Sequence, residues 1–304
     1  MRLFAIAALF SVLAAGANAA APSAPRVLAS IKPVHSIVAA VMGDIGAPEL
    51  LIAGAASPHS YALRPSDAQK IARADVIFWI GPVMETFLET PLKNLAPRAR
   101  KIALMNAAGV TQLQARTGGL WDPAADDHGH AEGGVDGHVW LNPANAIAMA
   151  RAAAMALATA DGTNAARYAS NAEAFAATTR TLDDATHARL AAIRDRPYIV
   201  FHDAFRYFES HYGLSPVGAV TVASERPPGA RRVAEIRARI KEGNALCLFS
   251  TPQFPPRLVA TLTEGSSART APLDDVGADI PAGPAFYGAL LTRITDSMVA
   301  CLVR

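Results

Sequence analysis

Short β-rich apolar runs alternate with segments of helical spacing twice along this chain, and an alanine-rich, almost purely helical stretch separates the two sets. In the first set, residues 27–31, 50–52, 76–80 and 102–105 read as buried strands. Residues 36–42, 66–74 and 84–95 read as helices, with Ser36 and Ser66 as their starts. In the second set the strands fall at 198–201, 217–222, 245–249 and 268–273, and the helices at 204–212, 229–241, 256–264 and 286–302. Within 229–241, Val233, Ile236 and Ile240 share one helical face. Strands that alternate with helices need crossover connections, which implies parallel pairing. The fold class is therefore α/β: two similar lobes with mainly parallel sheets.

Between the sets, Asn142 suits the cap and Pro143 the first position of a helix running to about residue 160. Asp161-Gly162 interrupts it, and Thr163 suits the cap of a second helix to about residue 194. Thirty helical residues would span about 45 Å, a connection stiff enough to restrict hinge motion between the lobes. Two ordinary helices packed within one lobe are the alternative. The expected division is a leader at 1–19, an N-terminal lobe at 20–142, linking helices at 143–195 and a C-terminal lobe at 196–304.

The leader sets the compartment. Met1 and Arg2 form a basic start, residues 3–15 an apolar run, and Ala17-Asn18-Ala19 a small-x-small cleavage pattern, so cleavage is expected near Ala19. The apolar run is shorter than the ~20 residues of a membrane span, and no later stretch supplies one. No cysteine near the cleavage site invites a lipid. The mature protein is expected to be soluble and exported, to the periplasm in a bacterium with two membranes. Cys247 and Cys301 are the two cysteines of 304 residues. In an oxidising compartment they read as a disulfide, with two buried thiols as the alternative, and they are too few for a thiolate zinc site. A net charge of +2, from 28 basic and 26 acidic groups, offers no electrostatic footprint for nucleic acid.

Chemistry is left to the 8 histidines. His59 follows a strand in Ser57-Pro58-His59-Ser60-Tyr61. His138 precedes the first linking helix in Gly137-His138-Val139-Trp140, and His202 ends a strand before Asp203. All three stand at or beside strand-to-helix transitions, and in open α/β sheets such transitions at the carboxyl ends of strands face the ligand crevice. Three neutral imidazoles suit zinc and leave a fourth position for water or a carboxylate. His35, His187 and His211 read as packing or helix-end residues, and Trp79, Trp121 and Trp140 as packing residues.

The segments ASPHSYALRPSDAQKIARADVIFWIGPVMETFLE, HVWLNP, VFHDAFRYFESHYGL, ERPPGARRVAEIR and PLDDVGADI, in this order, cover almost the whole mature chain. In them the chain resembles the periplasmic zinc-binding proteins of ABC importers, the cluster A-I metal-binding family. The resemblance implies two α/β lobes bridged by a long rigid helix, with Zn(II) in the cleft as transported ligand. It makes His59, His138 and His202 the metal ligands. Some relatives have Glu immediately before the first histidine, where this chain has Pro58. Manganese-type members use a carboxylate from the C-terminal lobe, and Asp274 occupies the comparable motif. The expected set is three histidines with Asp274 or water in fourth place, and a third imidazole favours zinc over manganese.

Asp126, Asp127, His128, His130, Glu132 and Asp136, interspersed with glycines, form a chelating loop. The resemblance makes it a short version of the family's His-rich loop, an accessory metal site; a solvated loop that binds nothing is the alternative. Asp203 and Glu225 are expected to orient the imidazoles. The implied partners are an inner-membrane permease with a cytoplasmic ATPase, with a periplasmic metallochaperone as a further candidate. The protein is expected to act as a monomer and not as an enzyme. Competing readings are a manganese or other divalent-metal carrier, a zinc hydrolase and a binder of metal chelates. The hydrolase lacks an HExxH-like helix, and the chelate binder would need an aromatic or basic cleft.

Overall fold

A computed structural model describes residues 24–117, 119–121, 134–221, 228–254 and 256–303. The leader with its cleavage site, the loop residues Asp126, Asp127, His128, His130 and Glu132, and Glu225 lie outside the described residues.

The first lobe runs β1 (Val27–Ala29), α1 (Lys32–Met42), β2 (Glu49–Leu50), α2 (Pro65–Arg73), β3 (Val76–Trp79), α3 (Glu89–Leu95) and β4 (Arg100–Ala103). Its four strands are parallel in the order β2-β1-β3-β4. Prolines, not serines, begin the helices. Pro33 and Pro65 lie in the first turns of α1 and α2, where a fixed φ is helical already and the missing N–H costs nothing. The expected helix over 84–95 is broken because Glu85 leaves helical geometry. Its buried carboxylate turns inward to accept the N–H groups of Ile80 and Gly81 at 3.2 and 3.0 Å and the Ser30 hydroxyl at 2.5 Å.

Two helices follow, α4 (Pro143–Ala160) and α5 (Ala165–Leu190). The Asn142 side chain accepts the Ala144 N–H at 2.8 Å, as its position requires of a cap. Asp161, rather than Thr163, organises the turn between them, accepting the Asn164 amide at 2.8 Å and the Tyr168 hydroxyl at 2.9 Å. The 26 residues of α5 span about 39 Å. Its buried stripe is narrow: Tyr168, Ala172, Ala176, Thr179, Thr186 and Leu190 face inward at three- and four-residue steps. Alanine on both helices lets α4 and α5 lie close along their length, while α5 also packs on α1.

The second lobe repeats the plan with β5 (Tyr198–His202), α6 (Arg206–Tyr212), β6 (Pro216–Thr221), α7 (Ala230–Lys241), β7 (Cys247–Ser250), α8 (Pro256–Thr263), β8 (Arg269–Pro272) and α9 (Phe286–Leu302). The strands are parallel in the order β6-β5-β7-β8, the same order as in the first lobe. Gly213 takes φ +67 to end α6 with a left-handed turn. Cys247 on β7 and Cys301 on α9 form a disulfide, with Cα atoms 6.2 Å apart.

Alternation along β5 divides the core. Ile199 and Phe201 pack with Ile236 of α7 and Val259 of α8 on one face of the sheet. Tyr198 and Val200 on the other face join a continuous core that includes the first lobe, α4, α5 and α9. The lobes thus share one apolar interior, and α9, last in sequence, packs back onto α1 and α5. Among the described residues no helix is long and apolar enough to cross a membrane.

Candidate metal centre

In each sheet the chain leaves the first strand, adds a neighbour on one side and returns to the other. Open parallel sheets bind ligands at the carboxyl ends of their strands beside such a switch. His59 lies in the segment that leaves β2, and His202 is the last residue of β5. His138 precedes a single 3-10 turn, Val139–Leu141, that leads through Asn142 into α4.

These three histidines, distant in sequence, stand together. Their ring centroids are 5.3 Å apart for His59 and His138, 5.7 Å for His59 and His202, and 5.2 Å for His138 and His202. One ligand nitrogen from each lies within 4.8 Å of the others, and no other group of this kind occurs among the described residues. Nε2 of His59 and Nε2 of His138 are 3.4 Å apart. Two nitrogens bound tetrahedrally at 2.0–2.1 Å from zinc would be about 3.3 Å apart, so this pair already has the spacing of a shared ion.

Asp136 orients one member. Its Oδ1 accepts the His138 backbone N–H at 2.9 Å and stands 2.7 Å from the ring Nδ1. A carboxylate there holds the proton on Nδ1 and presents the Nε2 lone pair to the cleft. Burial works against the charged ring, but the charge and hydrogen bond of Asp136 overcome it and raise the His138 pKa above its ordinary value. By its place in the chain Asp136 belongs to the expected chelating loop; the structure buries it against His138. The described end of that loop is pinned, because Gln114 bridges Val135 antiparallel, Ala115 donates to the Gly134 carbonyl at 2.7 Å, and Asp136 donates to the Leu113 carbonyl at 2.8 Å. The Tyr207 hydroxyl, from α6, donates to the Asp136 carbonyl at 2.8 Å.

Asp203, expected to orient an imidazole, forms an ion pair. It accepts from Arg116 at 2.7 Å, and the same guanidinium binds Glu209 at 2.5 Å and lies 4.2 Å over the Trp121 ring. Burial pushes the Asp203 carboxyl up to about 7 despite Arg116. Asp274, expected as a fourth ligand or replaced by water, accepts backbone N–H groups. One of its oxygens accepts from Val276 and Gly277 N–H at 3.1 and 3.0 Å, the other from Ala278 N–H at 2.6 Å, so its charge is committed to folding its own loop. The neighbouring Asp275 lines the cleft with His59, His202 and Phe254. Burial lifts its carboxyl to about 6, while the positive potential of His138 acts to lower it. Adjacent acidic residues on a loop give no sequence signal for which one turns inward. His35 bonds the Pro48 carbonyl at 3.0 Å and His211 bonds Asp183 at 2.8 Å, both outside the cluster. Trp140 packs 5.3 Å from His138, centroid to centroid.

Two parallel α/β lobes around one continuous core, with three imidazoles converging in the cleft, define a metal-binding protein of the two-lobed solute-receptor class. The family described as "Zinc-uptake complex component A periplasmic", ZnuA, matches residues 27–301. A high-affinity zinc uptake system protein ZnuA of Brucella abortus (strain 2308) is 41% identical over 306 aligned positions, covering 91% of each chain. Its counterpart in Yersinia pestis is 35% identical, again over 91% of each. Among solved structures, a crystal structure of ZnuA superposes with a TM-score of 0.78 at 22% identity, over 92% of this chain and 99% of the other. FpvC of Pseudomonas aeruginosa in complex with Mn2+ does so with a TM-score of 0.80 at 24% identity, over 92% and 99%. This chain belongs to the ZnuA family of periplasmic zinc-uptake components, which are solute-binding proteins.

Proposed function

We propose that this protein captures Zn(II) in the periplasm through His59, His138 and His202 and delivers it to an ABC permease with its cytoplasmic ATPase. The observation that carries the reading is the spacing of the imidazole nitrogens, with His138 held in the ligating tautomer by Asp136. Imidazole donors favour zinc over manganese, which prefers oxygen. The fourth position goes to a water hydrogen-bonded to Asp275, since Asp274 is occupied by backbone N–H groups. The residues supply capture and release, not catalysis, and the protein works as a monomer. Cleavage near Ala19 leaves lobes at 20–142 and 196–304 joined by 143–195. Residues 126–132, which carry Asp126, Asp127, His128, His130 and Glu132, are an accessory site that gathers metal for the cleft or exchanges it with a metallochaperone.

Metal analysis and zinc titration of the wild type against His59→Ala, His138→Ala and His202→Ala test the assignment. Each single variant is expected to lose the tight equivalent. Wild-type affinity in any two of them would overturn it, and a wild type that prefers manganese would overturn the choice of metal.

A further inference from the structure

Lys32 opens α1, yet its side chain serves the other lobe. It is 8% exposed, and its ammonium donates to the carbonyl oxygens of Gly277 at 3.0 Å, Ala278 at 2.7 Å and Ile280 at 2.9 Å. An ammonium has three N–H donors, and all of them are used on one loop. That loop follows β8 and carries Asp275. It is the same segment whose amides Asp274 gathers from inside. Asp274 thus turns the amides inward and Lys32 binds the carbonyls left facing the first lobe.

The segment has further bonds to the same side. Ser36 of α1 donates to the Pro284 carbonyl at 3.2 Å and accepts the Tyr287 N–H at 3.0 Å. The Trp140 indole donates to the Asp275 carbonyl at 2.9 Å, and the Tyr287 hydroxyl donates to the Trp140 carbonyl at 2.9 Å. Phe286 lies 5.9 Å from the Lys32 nitrogen. Residues 275–287 follow the second sheet in the chain but are bonded to α1 and to the turn that carries His138.

We infer that Lys32 is a positioning residue for the metal site: it locks the loop bearing Asp275 to the body that holds His59 and His138. His202 is then the one imidazole presented by the opposing sheet. Loss of the ammonium leaves three inward carbonyls without their donor, and the loop must shift to rehydrate them. The inference rests on the zinc reading above and on Asp275 lining the cleft.

The test is a double-mutant cycle on the purified protein, read by chelator-competition affinity and stopped-flow zinc release, with His138→Ala as reference. Lys32→Met is expected to weaken zinc about tenfold, mainly through faster release, in line with losses of other groups that position ligands. In an Asp275→Asn background it should cost almost nothing more, because the two act through one loop. Full additivity, or wild-type binding by either Lys32→Met or Asp275→Asn, overturns the latch. Wild-type binding by His138→Ala overturns the zinc site itself, so the two failures are distinguishable. Thermal unfolding of the metal-free proteins checks folding. If Lys32→Met does not fold, Lys32→Gln carries the test, with an intermediate loss expected; if neither folds, the residue serves folding and the inference fails.

Discussion

Asp136 is two residues from His138, and the pair illustrates how little chain is needed to tune a ligand. Asp136→Asn keeps an acceptor for Nδ1–H but removes the charge that favours the ring. Zinc affinity at neutral pH is expected to fall roughly 10-fold, and Asp136→Ala to approach 100-fold, by chelator competition. The pH profile should move the opposite way. In the wild type the His138 pKa is raised, so protons compete for Nε2 from a higher pH than at an ordinary histidine. Without the carboxylate charge the ring stays neutral further into acid, and the midpoint of acid release shifts down. A midpoint that stayed in place would show that Asp136 does not set this titration. Asp274 ranks lower than any histidine: Asp274→Asn should weaken zinc less than His59→Ala in the same titration, because both its oxygens already accept backbone N–H groups.

Elements hold these residues through crossings that link distant parts of the chain. The Cys247–Cys301 disulfide ties β7 to α9 across 54 residues. In the chain-entropy account a loop of that size contributes about 4 kcal/mol. Cys247→Ala/Cys301→Ala should lose stability of that order in urea unfolding with no direct effect on zinc stoichiometry, since both residues lie outside the cluster. The strap formed by 113–115 and 134–136 is the second crossing. It fixes residues 134–136 beside the cleft independently of what precedes them. Deleting 124–132 should keep the tight cleft equivalent and lose only additional zinc, counted by metal analysis after dialysis. Loss of the tight equivalent would show that the loop belongs to the primary site.

At the scale of the whole molecule, one apolar interior runs from the first sheet through α4, α5 and α9 to the inner face of the second. Large closure around the ligand would tear that interior, so metal capture depends on a cleft that is largely formed in advance. Affinity should therefore respond to protonation more than to domain motion. Zinc binding is expected to be full above the raised His138 pKa and to fall steadily as pH drops through it, measured by competition titration from about pH 8 to about pH 5. Constant affinity across that range would exclude histidine ligation.

Two α/β sets, the helical stretch between them and three histidines beside the starts or ends of elements are periodic or local signals, and the sequence alone determined them. Asn142 as a cap was legible for the same reason: a cap is a bond to the next few residues. Pro33 and Pro65 displaced Ser36 and Ser66 because backbone stiffness outweighed side-chain capping. Glu85, Asp136, Asp203 and the choice between Asp274 and Asp275 were settled only by tertiary structure. A buried carboxylate turns toward whichever donors the fold brings near: Ser30 reaches Glu85 and Arg116 reaches Asp203 from tens of residues away, while Asp136 and Asp274 meet neighbouring N–H groups that only the folded loop aims at them. Lys32 is the extreme case, since the carbonyls that define its role come from residues 277–280. Pattern determined which residues could serve the site, and the low-dielectric interior, which demands a partner for every buried charge, decided which of them do.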